Sequence, residues 1–174
     1  MKTYISILRG INVSGQKKIK MTDLKLLYEQ LGFQNVQTYI QSGNVVFEYQ
    51  ETSPSTLQQL IFNKIQEYYG FKVPNIILTP QEIKEALDRN PFKEIEKMYF
   101  TFLAELPKSD DIQKLSIYNF DNEFYEINNK VIHFHCLDGY RRAKMNNNFF
   151  EQQLKVTATT RNLKTTKKLL EMAL

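Results

Sequence analysis

The chain of 174 residues contains a single cysteine, so no internal disulfide can form and a reducing, cytoplasmic setting is expected. It has no apolar run of membrane-spanning length and no apolar leader near its start, which argues against insertion and secretion. No stretch rich in glycine, proline or serine divides it, so its halves are expected to pack together. Acid is missing from residues 1–20, which carry five basic groups. Residues 139–174 hold eight basic groups against two acidic ones, and the span between holds ten against seventeen. The net charge of +4 therefore conceals two basic ends around an acidic middle. Such segregation fits a solvated basic face or a surface for an anionic partner, either a small ligand or a nucleic acid. With 42% hydrophobic residues the chain can bury a core as one domain or two small subdomains.

Thr3–Leu8 alternates as a strand does, and the stretch after Thr22 places Leu24, Leu27, Tyr28 and Leu31 on one helical face. Met21 is expected to staple onto Leu26, and Gly32 to end the helix in the left-handed region. Val36–Ile40 and Val45–Tyr49 read as a hairpin turning at Ser42, Gly43 and Asn44. Ser53-Pro54 opens a second helix with Leu57, Leu60, Ile61, Ile65 and Tyr68 on its apolar face. Gly70 ends it, and Phe71–Leu78 reads as a fourth strand interrupted by Pro74. This β-α-β-β-α-β order predicts an α+β, ferredoxin-like α/β plait over residues 1–79 with strand order 4-1-3-2. Strand 3 then runs antiparallel to strand 1, so Arg9, Gly10 and Asn12 should meet Ser42, Gly43 and Asn44 at one sheet edge.

Thr79, Pro80 and Glu82 form a helix-start signature that opens residues 80–174. Strand-like residues at 98–105, helical ones at 107–116, and a hairpin of 124–127 with 130–136 turning at Asn128-Asn129 repeat the first pattern. A short helix near 149–154 and a last helix after Asn162 complete what reads as a second plait-like subdomain.

The segment Leu8-Arg-Gly-Ile-Asn-Val-Ser-Gly15, then Lys20-Met21, Leu31-Gly-Phe33, the run from Thr38 to Phe47, Thr160-Arg161-Asn162 and Lys168-Leu169 resembles bacterial domain-of-unknown-function family 1697. That resemblance spans the chain and implies an α/β plait, with no established activity, cofactor or catalytic residue. Leu163 departs from it, since tryptophan is the commoner family residue there.

Gly10 and Gly15 permit positive φ, and with Arg9, Asn12 and Lys17 they compose an anion-binding type of loop. A phosphate-binding P-loop is excluded because Gln16 separates Gly15 from Lys17, and Lys18 stands where the metal-binding hydroxyl belongs. The candidate ligand residues are Arg9, Gly10, Asn12, Gly15, Lys17, Ser42, Gly43 and Asn44, with Arg142, Lys144, Arg161 and Asn162 as a second cluster. Arg161 offers a bidentate fork, although Thr159, Thr160 and Asn162 also suit plain helix capping. The expected function is binding of a phosphate-bearing or other anionic small ligand. The alternatives are nucleic-acid binding, with Tyr39, Phe47 and Tyr49 as stacking candidates, and an acylphosphatase-like enzyme using Arg9 with Asn12 or Asn44. His133 and His135 share a strand face but nothing nominates further zinc ligands, and Cys136 faces the opposite, core side, so no metal or cofactor is expected.

Overall fold

The computed structural model describes residues 1–92 and 96–174. The chain divides into two compact units, Met1–Lys84 with Lys168–Leu174, and Glu85–Lys167.

The first unit runs β1 (Lys2–Leu8), α1 (Met21–Gln30), β2 (Gln34–Tyr39), β3 (Asn44–Tyr49), α2 (Pro54–Tyr69) and β4 (Asn75–Leu78). Its sheet has the order β2-β3-β1-β4, all pairs antiparallel, as the plait requires. Alternation along the strands turns Tyr4, Leu8, Val45, Phe47 and Ile77 toward Leu24, Leu27 and Tyr28 of α1 and Leu57, Ile61 and Ile65 of α2. Phe33 stacks on Phe47 at 4.3 Å between ring centroids, and Tyr28 meets Phe47 edge-on at 5.6 Å. Each such buried aromatic contributes about 1.5–3 kcal/mol through removal of apolar surface from water. The Tyr28 hydroxyl shares a 2.8 Å hydrogen bond with Ser6, so the one polar atom this ring carries inward is satisfied. Residues on the other face, Ile5, Ile7, Val46, Ile76 and Leu78, are buried as well.

Several local expectations give way to tertiary context. Helix α1 starts two residues early, with Lys20 at its N-cap position and no side-chain cap, while Leu26 is 56% exposed and makes no staple with Met21. Leu60 and Tyr68 lie on the outer side of α2, because the sheet accepts only a narrow stripe of that helix. Strand β4 begins after Pro74, since proline supplies no ladder donor. Pairing of β2 with β3 slips between Gln34 and Gln37, around Asn35 at φ +51°.

Helix α3 (Pro80–Asp88) opens with the expected reciprocal cap: the Glu82 carboxylate accepts from the Thr79 N–H at 2.8 Å, and Thr79 Oγ1 accepts from the Glu82 N–H at 3.2 Å. The second unit follows with β5 (Met98–Leu103), α4 (Ser109–Leu115), β6 (Glu123–Asn128), β7 (Val131–Cys136), a 3-10 turn at Tyr140–Arg142, α5 (Asn147–Leu154) and β8 (Ala158–Asn162). Its sheet order, β6-β7-β5-β8, repeats the first. Strand β8 replaces the capping loop expected at Thr159–Asn162: its β-branched threonines pair with β5 from Tyr99↔Asn162 to Leu103↔Ala158. The hairpin turn falls at Asn129-Lys130, one residue later than expected, with Asn129 at φ +53°. Helix α6 (Leu163–Ala173) completes the chain.

Candidate functional site

Antiparallel register puts the end of β1 between the starts of two neighbours, Ile7 opposite Asn44 and Leu8 opposite Asn75. Beyond that point the backbone stays anchored on both sides. Leu8 N–H donates to the Gly43 carbonyl and Arg9 N–H to the Pro74 carbonyl, each at 2.8 Å. The segment after β1 and the β2–β3 turn therefore share one end of the sheet, as the topology predicts.

The segment itself is a miniature hairpin. Asn12 N–H donates to the Lys17 carbonyl at 3.2 Å, Gln16 N–H donates to the Val13 carbonyl at 2.9 Å, and Val13 bridges Gln16. Ser14 and Gly15 form its tip at φ +51° and +74°, the positive pair that a type I′ turn demands. Gly10, Asn12 and Lys17 also sit at positive φ, so five of the eight residues from Gly10 to Lys17 are left-handed, three of them not glycine. Ile11 and Ile19 are buried at the base, whereas Val13, Ser14, Gly15 and Gln16 at the tip are exposed.

Asn12 holds this hairpin in place. Its Nδ2 donates to the Ile19 carbonyl at 2.9 Å and to the Gln41 carbonyl at 2.8 Å, while its Oδ1 accepts from Ile19 N–H at 2.9 Å. Both donors of the amide are thus committed, and the side chain ties the hairpin to the β2–β3 turn. Asn44 is similarly engaged: it is fully buried, and its Nδ2 donates to the Tyr39 carbonyl at 2.9 Å and to Ser42 Oγ at 3.1 Å. Gly43 is required by contact, because a Cβ there would fall 2.6 Å from Ile11 Cδ1 and 2.9 Å from Leu8 Cβ. Gly10 is required only by its φ of +70°, since a Cβ there would meet nothing within 4 Å.

The cations stand around this scaffold. Arg9 is half-buried, and Lys18 and Lys20 are exposed. Lys17 Nζ donates to the Lys72 carbonyl at 2.7 Å, which brings the exposed Lys72 to the base of the hairpin. Lys72 was invisible to the sequence argument because it lies beyond α2, and only the β1–β4 pairing returns it here.

The second cluster behaves differently. Arg161 is only 7% exposed, and its guanidinium donates to Thr159 Oγ1 and the Thr160 carbonyl, both at 2.9 Å. Asn162 Oδ1 accepts from Thr165 N–H at 2.8 Å and so caps α6. Arg142 and Lys144 line a cavity of about 250 Å³ that Asp121, Glu123 and Asp138 share, a balance that opposes an anion. The Lys144 ammonium sits 5.3 Å from the centre of the Phe120 ring.

His133 is fully buried, its Nε2 donating to the Ala86 carbonyl at 2.7 Å and its Nδ1 accepting from Asn128 Nδ2 at 3.3 Å. Those partners select the neutral tautomer, and burial lowers its pKa below 6.5, partly offset by the Ala86 hydrogen bond. His135 contacts the Lys97 carbonyl at 3.2 Å, and among the described residues no cluster of three His, Cys, Asp or Glu suits a metal ion. Burial pushes the Cys136 thiol up to about 11, so it stays protonated near neutrality and is a poor nucleophile. Phe47 lies wholly in the core and is unavailable for stacking.

Residues 1–133 match the family described as protein of unknown function (DUF1697). The chain belongs to that family. This DUF1697 member shares its fold with a conserved bacterial protein of Streptococcus pneumoniae of solved structure. The TM-score is 0.80 at 23% identity, covering 99% of this chain and 98% of the other. No curated protein matches it. No helix among the described residues is long and apolar enough to cross a membrane. Gly10, Asn12, Gly15, Gly43 and Asn44 all lie within the matched span, and the geometry makes them residues that shape the hairpin and the β2–β3 turn beside it.

Proposed function

We propose that the protein binds a phosphate-bearing or other anionic ligand at the end of the first sheet, through Arg9, Lys17, Lys18, Lys20 and Lys72 around the hairpin. The observation that carries this reading is strain combined with charge. Asn12, Ser14 and Lys17 each hold a left-handed backbone, at a cost of about 1 kcal/mol or more apiece, in a segment whose only charges are positive. A connection that merely joined β1 to α1 needs neither feature. Arg9 supplies a planar fork for two anion oxygens, and the lysines supply field and mobile donors. Asn12, Ser42, Gly43 and Asn44 belong to the site as its scaffold. A catalytic version would need a free amide to place water, and the Asn12 and Asn44 donors are already committed, so binding is the reading the geometry favours.

Thermal-shift titration with inorganic phosphate, nucleoside triphosphates and oligonucleotides tests the proposal. A ligand at a hundred times its Kd raises the stability by about 2.7 kcal/mol. Arg9→Ala, with its ligand-induced shift read against its own ligand-free melting temperature, is expected to weaken the anion about ten- to a hundredfold through loss of a charge-assisted contact of about 1.5–3 kcal/mol. Equal anion stabilisation of the parent and of a variant lacking Arg9, Lys18 and Lys20 would refute the reading.

A further inference from the structure

Building on the anion-site reading, we infer that the ligand is a nucleic-acid duplex, with the 12–17 hairpin entering a groove and the basic residues at its base contacting the flanking phosphates. The hairpin matches a groove in shape. Two paired levels and a two-residue turn extend roughly 7–10 Å at about 3.3 Å per residue. A duplex DNA major groove is about 8.5 Å deep and about 12 Å wide, enough for a two-stranded ribbon whose strands lie about 4.8 Å apart.

The distribution of charge matches it too. The exposed tip, Val13, Ser14, Gly15 and Gln16, is neutral, as are the base edges on a groove floor. Lys17 and Lys72 meet at the base of the hairpin, and Arg9 and Lys20 flank it in sequence. The Lys18 side chain runs alongside the tip, its Cε 4.0 Å from where a Cβ on Gly15 would sit, so the cations surround a neutral turn where phosphate rims would pass. A small phosphate would instead call for donors converging at the tip, yet the tip turns outward side chains of the kind that touch base edges. Gln16 offers a paired donor and acceptor for an adenine edge, and Val13 an apolar contact for a thymine methyl. Rigidity completes the argument. Asn12 fixes the hairpin to Gln41 and Ile19, so little conformational freedom is lost when it inserts.

Fluorescence anisotropy with the full chain and labelled 20-base-pair duplex DNA, duplex RNA and single-stranded DNA, each measured across a salt series, decides the matter. A groove-entering ribbon binds a duplex more tightly than the single strand, and the DNA and RNA arms identify which duplex it fits. Lys18→Ala with Lys20→Ala is expected to lower the log-log salt slope by about 2 and to weaken binding several-fold per lysine near 0.1 M salt. Gln16→Ala with Val13→Ala, which leaves every hydrogen bond of the base intact, is expected to weaken duplex binding while leaving the salt slope unchanged. Several outcomes overturn the inference: equal or tighter binding of the single strand, an unaltered salt slope in the lysine variant, or tip substitutions without effect. Stabilisation by inorganic phosphate or nucleotides without any duplex binding would also overturn it while leaving the anion-site reading standing. Binding of no anion at all would end both.

Discussion

Substituting Asn12 separates a scaffold residue from a ligand-touching one. Asn12→Ala removes the hydrogen bonds to Gln41 and to both backbone groups of Ile19, and it leaves alanine at φ +55°. Three hydrogen bonds at about 0.5–1.5 kcal/mol each, with roughly 1 kcal/mol for a left-handed alanine, give a cost of about 3–5 kcal/mol if the hairpin stays folded. Local opening limits the loss, because a hairpin that detaches lets water satisfy the Ile19 N–H. An observed cost of about 2–3 kcal/mol is therefore expected from denaturant unfolding, with faster amide exchange at Asn12 and Ile19. Asn12→Gly accepts the backbone angle and forfeits only the hydrogen bonds, so it should recover about 1 kcal/mol relative to alanine. Asn12→Asp keeps an acceptor for Ile19 N–H but turns a carboxylate oxygen toward the Ile19 and Gln41 carbonyls, so it should be no better than alanine. A fully stable Asn12→Ala protein with parental amide exchange would refute the scaffold assignment.

Two further substitutions test neighbouring claims. Gly43→Ala forces a Cβ against Ile11 and Leu8 at positive φ and should cost more than about 2 kcal/mol, whereas Gly10→Ala, with open space around it, should cost only the backbone term of about 1 kcal/mol; equal melting temperatures for the two would contradict the geometry. His133 is held neutral by burial with its pKa lowered, so the unfolded ring takes up a proton more readily than the folded one. Its contribution is fully present above about pH 6.5 and is lost as pH falls below that value, at up to about 1.4 kcal/mol per pH unit. Denaturation from pH 7.5 to 5 should show that decline, and a His133→Gln protein with the parental pH dependence would remove His133 as its source.

The plait was legible because hairpin and helix-crossover patterns leave few ways to order four strands, and the shared edge of Arg9 and Gly43 followed from that order alone. The hairpin after β1 was not legible. Its strands are too short to show alternation, so its two glycines and its lysines read as an irregular anion-binding type of loop, although Ser14-Gly15 was the available turn signal. Asn12 and Asn44 looked like ligand amides because their partners, backbone carbonyls at Ile19, Gln41 and Tyr39, leave no mark on side-chain patterns. Strand β8 was hidden by polarity. Thr159 and Arg161 are buried polar residues, made tolerable by hydrogen bonding to one another.

The placement of β1 at the centre of its sheet also sets an order of events in folding. It is synthesised before either of its neighbours, yet Leu8 must wait for Gly43 and Arg9 for Pro74 before their amides are bonded. The hairpin that follows β1 stays unfastened until Gln41 has been made and positioned. Pairings so distant in sequence close slowly, because the entropy of a long loop is lost before any contact compensates it. The most basic segment of the first sheet therefore completes its hydrogen bonds only after the chain through Pro74 has been made and both neighbours have paired with the first strand.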